Sequence, residues 1–304
     1  MALAPNETQR IMLSAVARLM DRFPPDYWKG LEDSEAYPEA FVAEFEAQGF
    51  GGLLIPTEYG GAGGSLSDAA LLLEEIHARG GNAQPFHGQF YLSFLVSRFA
   101  SEGIRRKVLP DLAQGKLRMQ SFALTEPDAG SDLTRITTFA EREGDRYRIR
   151  GRKVWTSKAL ESERVLLLCR TTPLEECAKR TDGMTLFLAS LRDPAVTITP
   201  IPKAGRNAVA SCEVVYDDLQ VDEADRVGEE GRGFRYLVDG LNAERILIAS
   251  EALGIGRAAL RRAVAYAKER VVFGRPIGQN QAVAFPLAEI HARLRAAERT
   301  ADNR

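Results

Sequence analysis

Two changes of hydrophobic period divide the chain into three blocks. From the N-terminus to about residue 118 the apolar positions recur at helical spacing. In "NETQRIMLSAVARLM" they fall at Ile11, Leu13, Val16 and Leu19, with Asn6 or Thr8 as the cap and Pro24-Pro25 as the stop. "PEAFVAEFEAQGFGG" opens on proline and closes on glycine, the usual asymmetry of helix ends. "SDAALLLEEIHARGG" predicts a helix capped by Ser67, and "SEGIRRKVLPDLAQGK" predicts another. From about 119 to 226 the period drops to two: "DRYRIRGRKVWTS" alternates, "RVLLLCR" and "GMTLFLASL" are short apolar runs, and "ASCEVVYDDLQV" follows. Turn residues separate these runs, and no helix alternates with them. The pattern predicts a small barrel or sandwich instead of a parallel sheet. From about 227 helical spacing returns, with core positions expected at Ile246, Ala249, Leu253, Leu260, Val264 and Ala267, and a second helix from about Gln281.

The fold class expected is therefore α+β and multidomain. Residues 1–118 form an N-terminal helical domain, 119–226 a central β-barrel-like domain, and 227–304 an incomplete C-terminal helical bundle. Length and composition agree with it, since 304 residues with 45% hydrophobic content suit a globular chain of two or three domains. A net charge of -2 gives no electrostatic reason to expect nucleic acid or a membrane surface as partner. No apolar run is long enough to span a bilayer. Three widely spaced cysteines match neither a zinc pattern nor a disulfide framework, so a reducing cytoplasm is the expected compartment. The histidines, His77, His87 and His291, show no metal spacing and read as surface or packing residues; no metal site is expected.

Chemistry is expected at four stretches. "SFALTEPDAGSDL" ends an apolar run in a hydroxyl, a proline and a small-residue turn. Backbone N–H groups around Ala129, Gly130 and Ser131 can form a concave donor site for an anion or the edge of a polar heterocycle. Phe122 and Leu124 place bulk on one strand face, and Ala123 leaves the other open to a flat ligand. A plain Pro-Gly turn leaving a sheet is the competing reading. "KVWTSKA" sets Trp155 beside Thr156 and Ser157, a platform for an aromatic cofactor or else a core tryptophan. "LNAERILIAS" puts Glu244 among Leu241, Leu247 and Ile248, where a carboxylate suits a general base; Glu251 competes with it, and a helix-dipole or arginine partner is the plainer role. "ERVVFGRPIGQNQ" joins the last two helices through Arg270, Phe273 and Gln281. "GIGRAA" has dinucleotide-fingerprint spacing but lies in a helical pattern after no strand, so tight helix packing explains it. "YGGAGGS" lacks the Lys-Ser/Thr of a P-loop and reads as a flexible loop.

Taken together, these segments resemble the acyl-CoA dehydrogenase family. "FALTEPDAGSD" is similar to its flavin-binding strand and turn, "GRKVWTS" to its tryptophan-hydroxyl segment, and "RVVFGRPIGQNQ" to the segment that reaches a neighbouring subunit's flavin. "IPTEYGGAGGS" and "LPDLAQGK" fit its N-terminal helical domain. The resemblance covers nearly the whole chain. It implies FAD held by Phe122, Leu124, Thr125, Gly130, Ser131, Trp155 and Ser157, with Ser157 where threonine is frequent. It also implies that Arg270, Phe273 and Gln281 contact FAD across a dimer interface, and that Ser131, Asn242 and Arg245 lie near the acyl-CoA. The reaction implied is α,β-dehydrogenation of an acyl-CoA thioester to a trans-2-enoyl-CoA, as in fatty acid β-oxidation. Glu244 is the implied base, and an electron-transferring flavoprotein takes the electrons. The family's alternative base position lies beyond Arg304. The chain stops within the family's helical bundle, which implies a truncated member or completion by a partner chain, and a homodimer or homotetramer if the bundle is completed. A flavin monooxygenase or oxidase on the same fold is the enzymatic alternative; a non-catalytic FAD- or acyl-CoA-binding subunit is the other.

Overall fold

A computed structural model describes residues 5–301. The described residues divide into two compact units, one of 5–28, 66–83 and 245–301, the other of 29–65 and 84–244.

In the larger unit, α3 (Glu39–Ala47), α5 (Gln84–Phe99) and α6 (Glu102–Ala113) accompany one eight-stranded sheet. The strands are β1 (Ser121–Ala123), β2 (Phe139–Glu143), β3 (Arg146–Ser157), β4 (Arg164–Arg170), β5 (Met184–Ser190), β6 (Val196–Pro200), β7 (Ser211–Asp222) and β8 (Arg226–Val227). Their order is β6-β7-β3-β2-β4-β5-β8, with β1 beside β4 in parallel. The long ladders, β3 with β7 and β4 with β5, are antiparallel. The sheet folds over so that β3 and β7 face β4 and β5 across an apolar interior. Tyr147 and Phe187 meet there with ring centroids 4.8 Å apart.

This arrangement explains the two strand patterns. On β3, Tyr147 and Ile149 point inward. Arg146, Arg148 and Arg150 point outward to carboxylates on β2 and β7. β4 is buried on both faces: Val165, Leu167 and Cys169 enter the sheet interior, while Leu166 and Leu168 pack with α5 and α6. An unbroken apolar run is what double burial requires. Double burial also hides α5 from a periodicity reading. Its residues Phe86, Gln89, Phe90, Leu92, Ser93, Leu95 and Val96 are all buried, so it has no polar stripe.

The smaller unit contains α1 (Glu7–Asp21), α4 (Leu66–Ala78), α8 (Gln281–Ala301) and most of α7 (Gly233–Glu269). Asn6 caps α1 in a reciprocal box with Gln9. Ser67 is not a cap, because α4 already begins at Leu66. Gly254 brings α7 against α4: a Cβ there would lie 2.3 Å from the Glu74 carbonyl oxygen. Tight packing, not nucleotide binding, is therefore the role of "GIGRAA". The buried line of α7 runs through Ala243, Leu247, Ser250, Glu251 and Gly254. Of the expected core positions, Leu253 and Ala267 are buried, while Ile246, Ala249, Leu260 and Val264 are half-buried. Ile246, Ala249 and Leu253 line an apolar groove with Leu294 and Ala297 of α8.

The glycine-rich loop after Tyr59 is built tightly, contrary to the flexible loop expected. Ala62, Gly63 and Gly64 donate backbone N–H groups to Gly52, Ile55 and Leu53. A Cβ at Gly61 would lie 2.1 Å from the Ile55 carbonyl oxygen. The glycines are needed for close approach, not mobility.

Candidate active site

The turn after β1 is fixed by a buried ion pair. Lys153 Nζ donates to Glu126 Oε1 at 2.9 Å and to the Leu124 carbonyl at 3.0 Å. Glu126 also accepts the amides of Thr137 and Thr138 at 2.7 and 2.9 Å, and the Thr137 hydroxyl. Burial alone would push the Glu126 carboxyl up. The Lys153 charge and the threonine hydrogen bonds outweigh it and hold the group at about 2. Burial also pulls Lys153 below the ordinary lysine range. Farther along, the buried Arg170 guanidinium donates to the carbonyls of Thr134, Ile136, Arg180 and Asp182. The segment from Glu126 to Thr138 is thus clamped at both ends.

Two expectations for this strand and turn change. The Ala129 N–H is used inside the turn, donating to the Glu126 carbonyl at 3.1 Å, so the exposed portion is Gly130 and Ser131. A Cβ at Gly130 would meet nothing within 4 Å. The open strand face is also the reverse of the one expected. Ala123 is buried in the sheet interior, while Phe122 and Leu124 are half-buried. Period-two alternation was legible; which face the sheet interior claims was not.

β3 runs beside this strand. Val154 N–H donates to the Thr125 carbonyl at 2.8 Å, and Ser121 Oγ to the Ser157 carbonyl at 2.8 Å. The β3–β7 register shifts between Lys153 and Thr156, and Trp155 in that bulge has φ +61°. Its side chain is 56% exposed, whereas Trp28 is buried in the core. A bulky residue in the left-handed region is strained, and such strain collects at ligand sites. Half-open Phe122 and Leu124, the uncovered indole and unobstructed Gly130 fit a flat aromatic cofactor.

α7 supplies the carboxylate, and α5 faces it. Gly240 lets α7 approach α5: a Cβ there would lie 2.5 Å from Leu95 Cδ1. Glu244 Oε1 lies 3.5 Å from His87 Nε2 on α5. The Glu244 side chain is 28% exposed. Glu251 is fully buried, 3.8 Å from His77 Nε2, so a substrate cannot reach it. The surface-or-packing reading of the histidines misses these partners. His77 and His87 are buried and each faces a carboxylate; His291 is exposed. The missed signal was not local, because His87 and Glu244 are 157 positions apart. Glu126 and Lys153 were missed for the same reason, although each lies within a quoted motif.

Phe122, Leu124, Thr125, Gly130, Ser131, Trp155, Ser157, Asn242 and Glu244 belong to the larger unit. Arg245, Arg270, Phe273 and Gln281 belong to the smaller unit. There β9 (Val271–Val272) and β10 (Arg275–Pro276) form a hairpin with Phe273 near its tip, 99% exposed. Arg270 and Gln281 are exposed as well. Among the described residues, no group of three or more His, Cys, Asp or Glu side chains could hold a metal ion, and no helix is long and apolar enough to cross a membrane.

The helix–sheet–helix order and the half-open aromatic strand face suit a flavin-dependent oxidoreductase. Comparison with known proteins fixes the family. Models for the N-terminal, middle and C-terminal domains of acyl-CoA dehydrogenase match residues 6–116, 121–219 and 231–303. Acyl-CoA dehydrogenase fadE12 of Mycobacterium bovis is 32% identical over 299 residues, covering 96% of this chain and 75% of that protein. The butyryl-CoA dehydrogenase structure from Megasphaera elsdenii superposes with a TM-score of 0.92 at 26% identity, over 99% of this chain and 79% of that one. A glutaryl-CoA dehydrogenase from Mycobacterium smegmatis, solved with FADH2, gives 0.88 at 27% identity, over 98% and 75%. The chain belongs to the acyl-CoA dehydrogenase family.

Proposed function

We propose that the protein is an FAD-dependent acyl-CoA dehydrogenase that converts an acyl-CoA thioester to its trans-2-enoyl-CoA, with Glu244 as the base and an electron-transferring flavoprotein as electron acceptor. The observation that carries this reading is the contrast on α7 between Glu244, 28% exposed, and Glu251, fully buried: of the two, only Glu244 can meet a substrate. Phe122, Leu124, Thr125, Gly130 and Ser131 would line the FAD, Ser131 also near the CoA part, and Trp155 and Ser157 would contact the isoalloxazine. Bound FAD supplies the hydride acceptor for the β-hydrogen.

The protein's own residues supply orientation and the proton acceptor. The clamped turn fixes the cofactor strand, and Glu244 removes the α-proton as the α C–H electron pair moves toward the thioester carbonyl. Asn242 and Arg245, both exposed on α7, border the acyl-CoA. Arg270, Phe273 and Gln281 serve the FAD of a second copy; a fully exposed phenylalanine near a hairpin tip supports a partner there. The site of action is the cytoplasm, in fatty acid β-oxidation.

The test is an anaerobic titration of the flavin-loaded protein with a panel of acyl-CoA thioesters. At least one should bleach the flavin absorbance and yield the enoyl-CoA. Glu244→Gln should keep the flavin and lose the bleaching. A yellow protein that no thioester bleaches would sink the reading.

A further inference from the structure

We propose that His87 is the positioning residue for Glu244: its Nε2 holds Oε1, leaving Oε2 to receive the substrate proton. This inference rests on the reading of Glu244 as base. The observations are geometric. Nε2 and Oε1 are 3.5 Å apart, at the outer limit of hydrogen-bond distance. His87 is buried and set on a helix with little freedom to move. A Cβ on the next residue, Gly88, would lie 2.3 Å from the Gln120 carbonyl oxygen, so α5 sits directly on the chain entering β1. The Tyr91 ring, one turn on, stands edge-to-face to His87 with centroids 5.5 Å apart. On its other side it is 6.1 Å from Phe122 of the cofactor strand. Glu244, His87, Tyr91 and Phe122 are therefore linked by successive contacts from base to cofactor strand.

Tyr91, Lys158 and Arg245 lie on the elements around the pair. Tyr91 is pushed above the ordinary phenol range, by burial first and then by the Glu244 charge, and so stays neutral. Lys158, from the end of β3, reaches α5 at the Gln84 carbonyl, 2.9 Å from its Nζ. Arg245 follows Glu244 on α7. His87 is the group placed against the carboxylate oxygen.

The role is distinct from that of a packing histidine, and the flavin-loaded full chain can tell them apart. His87→Leu should lower kcat about tenfold, with KM within about twofold, because the base loses its orientation and the binding surface does not. His87→Gln carries an amide nitrogen near the place of Nε2 and should recover most of that kcat. A His87→Leu variant with unchanged kcat overturns the inference, as does a His87→Gln variant no better than His87→Leu.

A second readout does not use turnover. The His87 ring resonances, followed by NMR, should titrate at lower pH in Glu244→Gln than in the parent, because a neighbouring carboxylate favours the imidazolium. This arm holds even where His87→Leu does not fold. Identical titration in both proteins overturns the inference while leaving Glu244 as base; full turnover in Glu244→Gln overturns both.

Discussion

Lys153 and Glu126 lie in separate sequence motifs, yet Nζ and Oε1 meet at 2.9 Å with both side chains buried. One pair thus ties the turn after β1 to the strand that carries Trp155. Removing one partner leaves a buried, unpaired charge, which costs far more than the pair contributes. Glu126→Gln should destabilise the protein by about 3–5 kcal/mol, measured by denaturant unfolding. Replacing both, Glu126→Gln with Lys153→Met, should recover a large part of that loss. A single variant as stable as the parent would show that the pair clamps nothing.

The same carboxylate sets an acid limit. Glu126 is held at about 2, below its ordinary value, so its contribution is complete above the ordinary carboxylate range. It is lost as pH falls from there toward about 2. Stability followed by near-UV circular dichroism should fall across the window in the parent. In Glu126→Gln the fall should be shallower; parallel curves would remove Glu126 as its source.

Trp155 should matter to the cofactor and not to the fold. Its indole is 56% exposed and its backbone is left-handed, so little packing is lost on truncation. Trp155→Gly should leave the unfolding midpoint of the flavin-free protein unchanged or slightly raised, because glycine relieves the positive φ. Flavin affinity, measured by titrating FAD into that protein, should fall about tenfold, or about 1.4 kcal/mol, as an aromatic contact is lost. A large loss of stability with unchanged affinity would make the residue structural.

Gly254 tests the helix packing of the smaller unit. Gly254→Ala places a methyl where the Glu74 carbonyl oxygen stands 2.3 Å away, and backbone cannot yield cheaply. The expected cost is about 1–3 kcal/mol, read as a lowered midpoint of thermal unfolding. Gly130→Ala, where nothing lies within 4 Å, is the control and should cost well under that. Equal midpoints for both variants would contradict the close approach of α4 and α7.

The sequence by itself determined the order of helices, strands and helices, because each period reflects local geometry: 3.6 residues for a helical face and two for a strand. Tertiary structure decided which faces are buried. Phe122, not Ala123, lies on the half-open side of β1, and α5 is enclosed almost all round. It alone decided the partners of charged side chains: Glu126 with Lys153, His77 with Glu251, and His87 with Glu244. Burial and ion pairing depend on what other segments bring to a side chain, and no window along the chain contains that information.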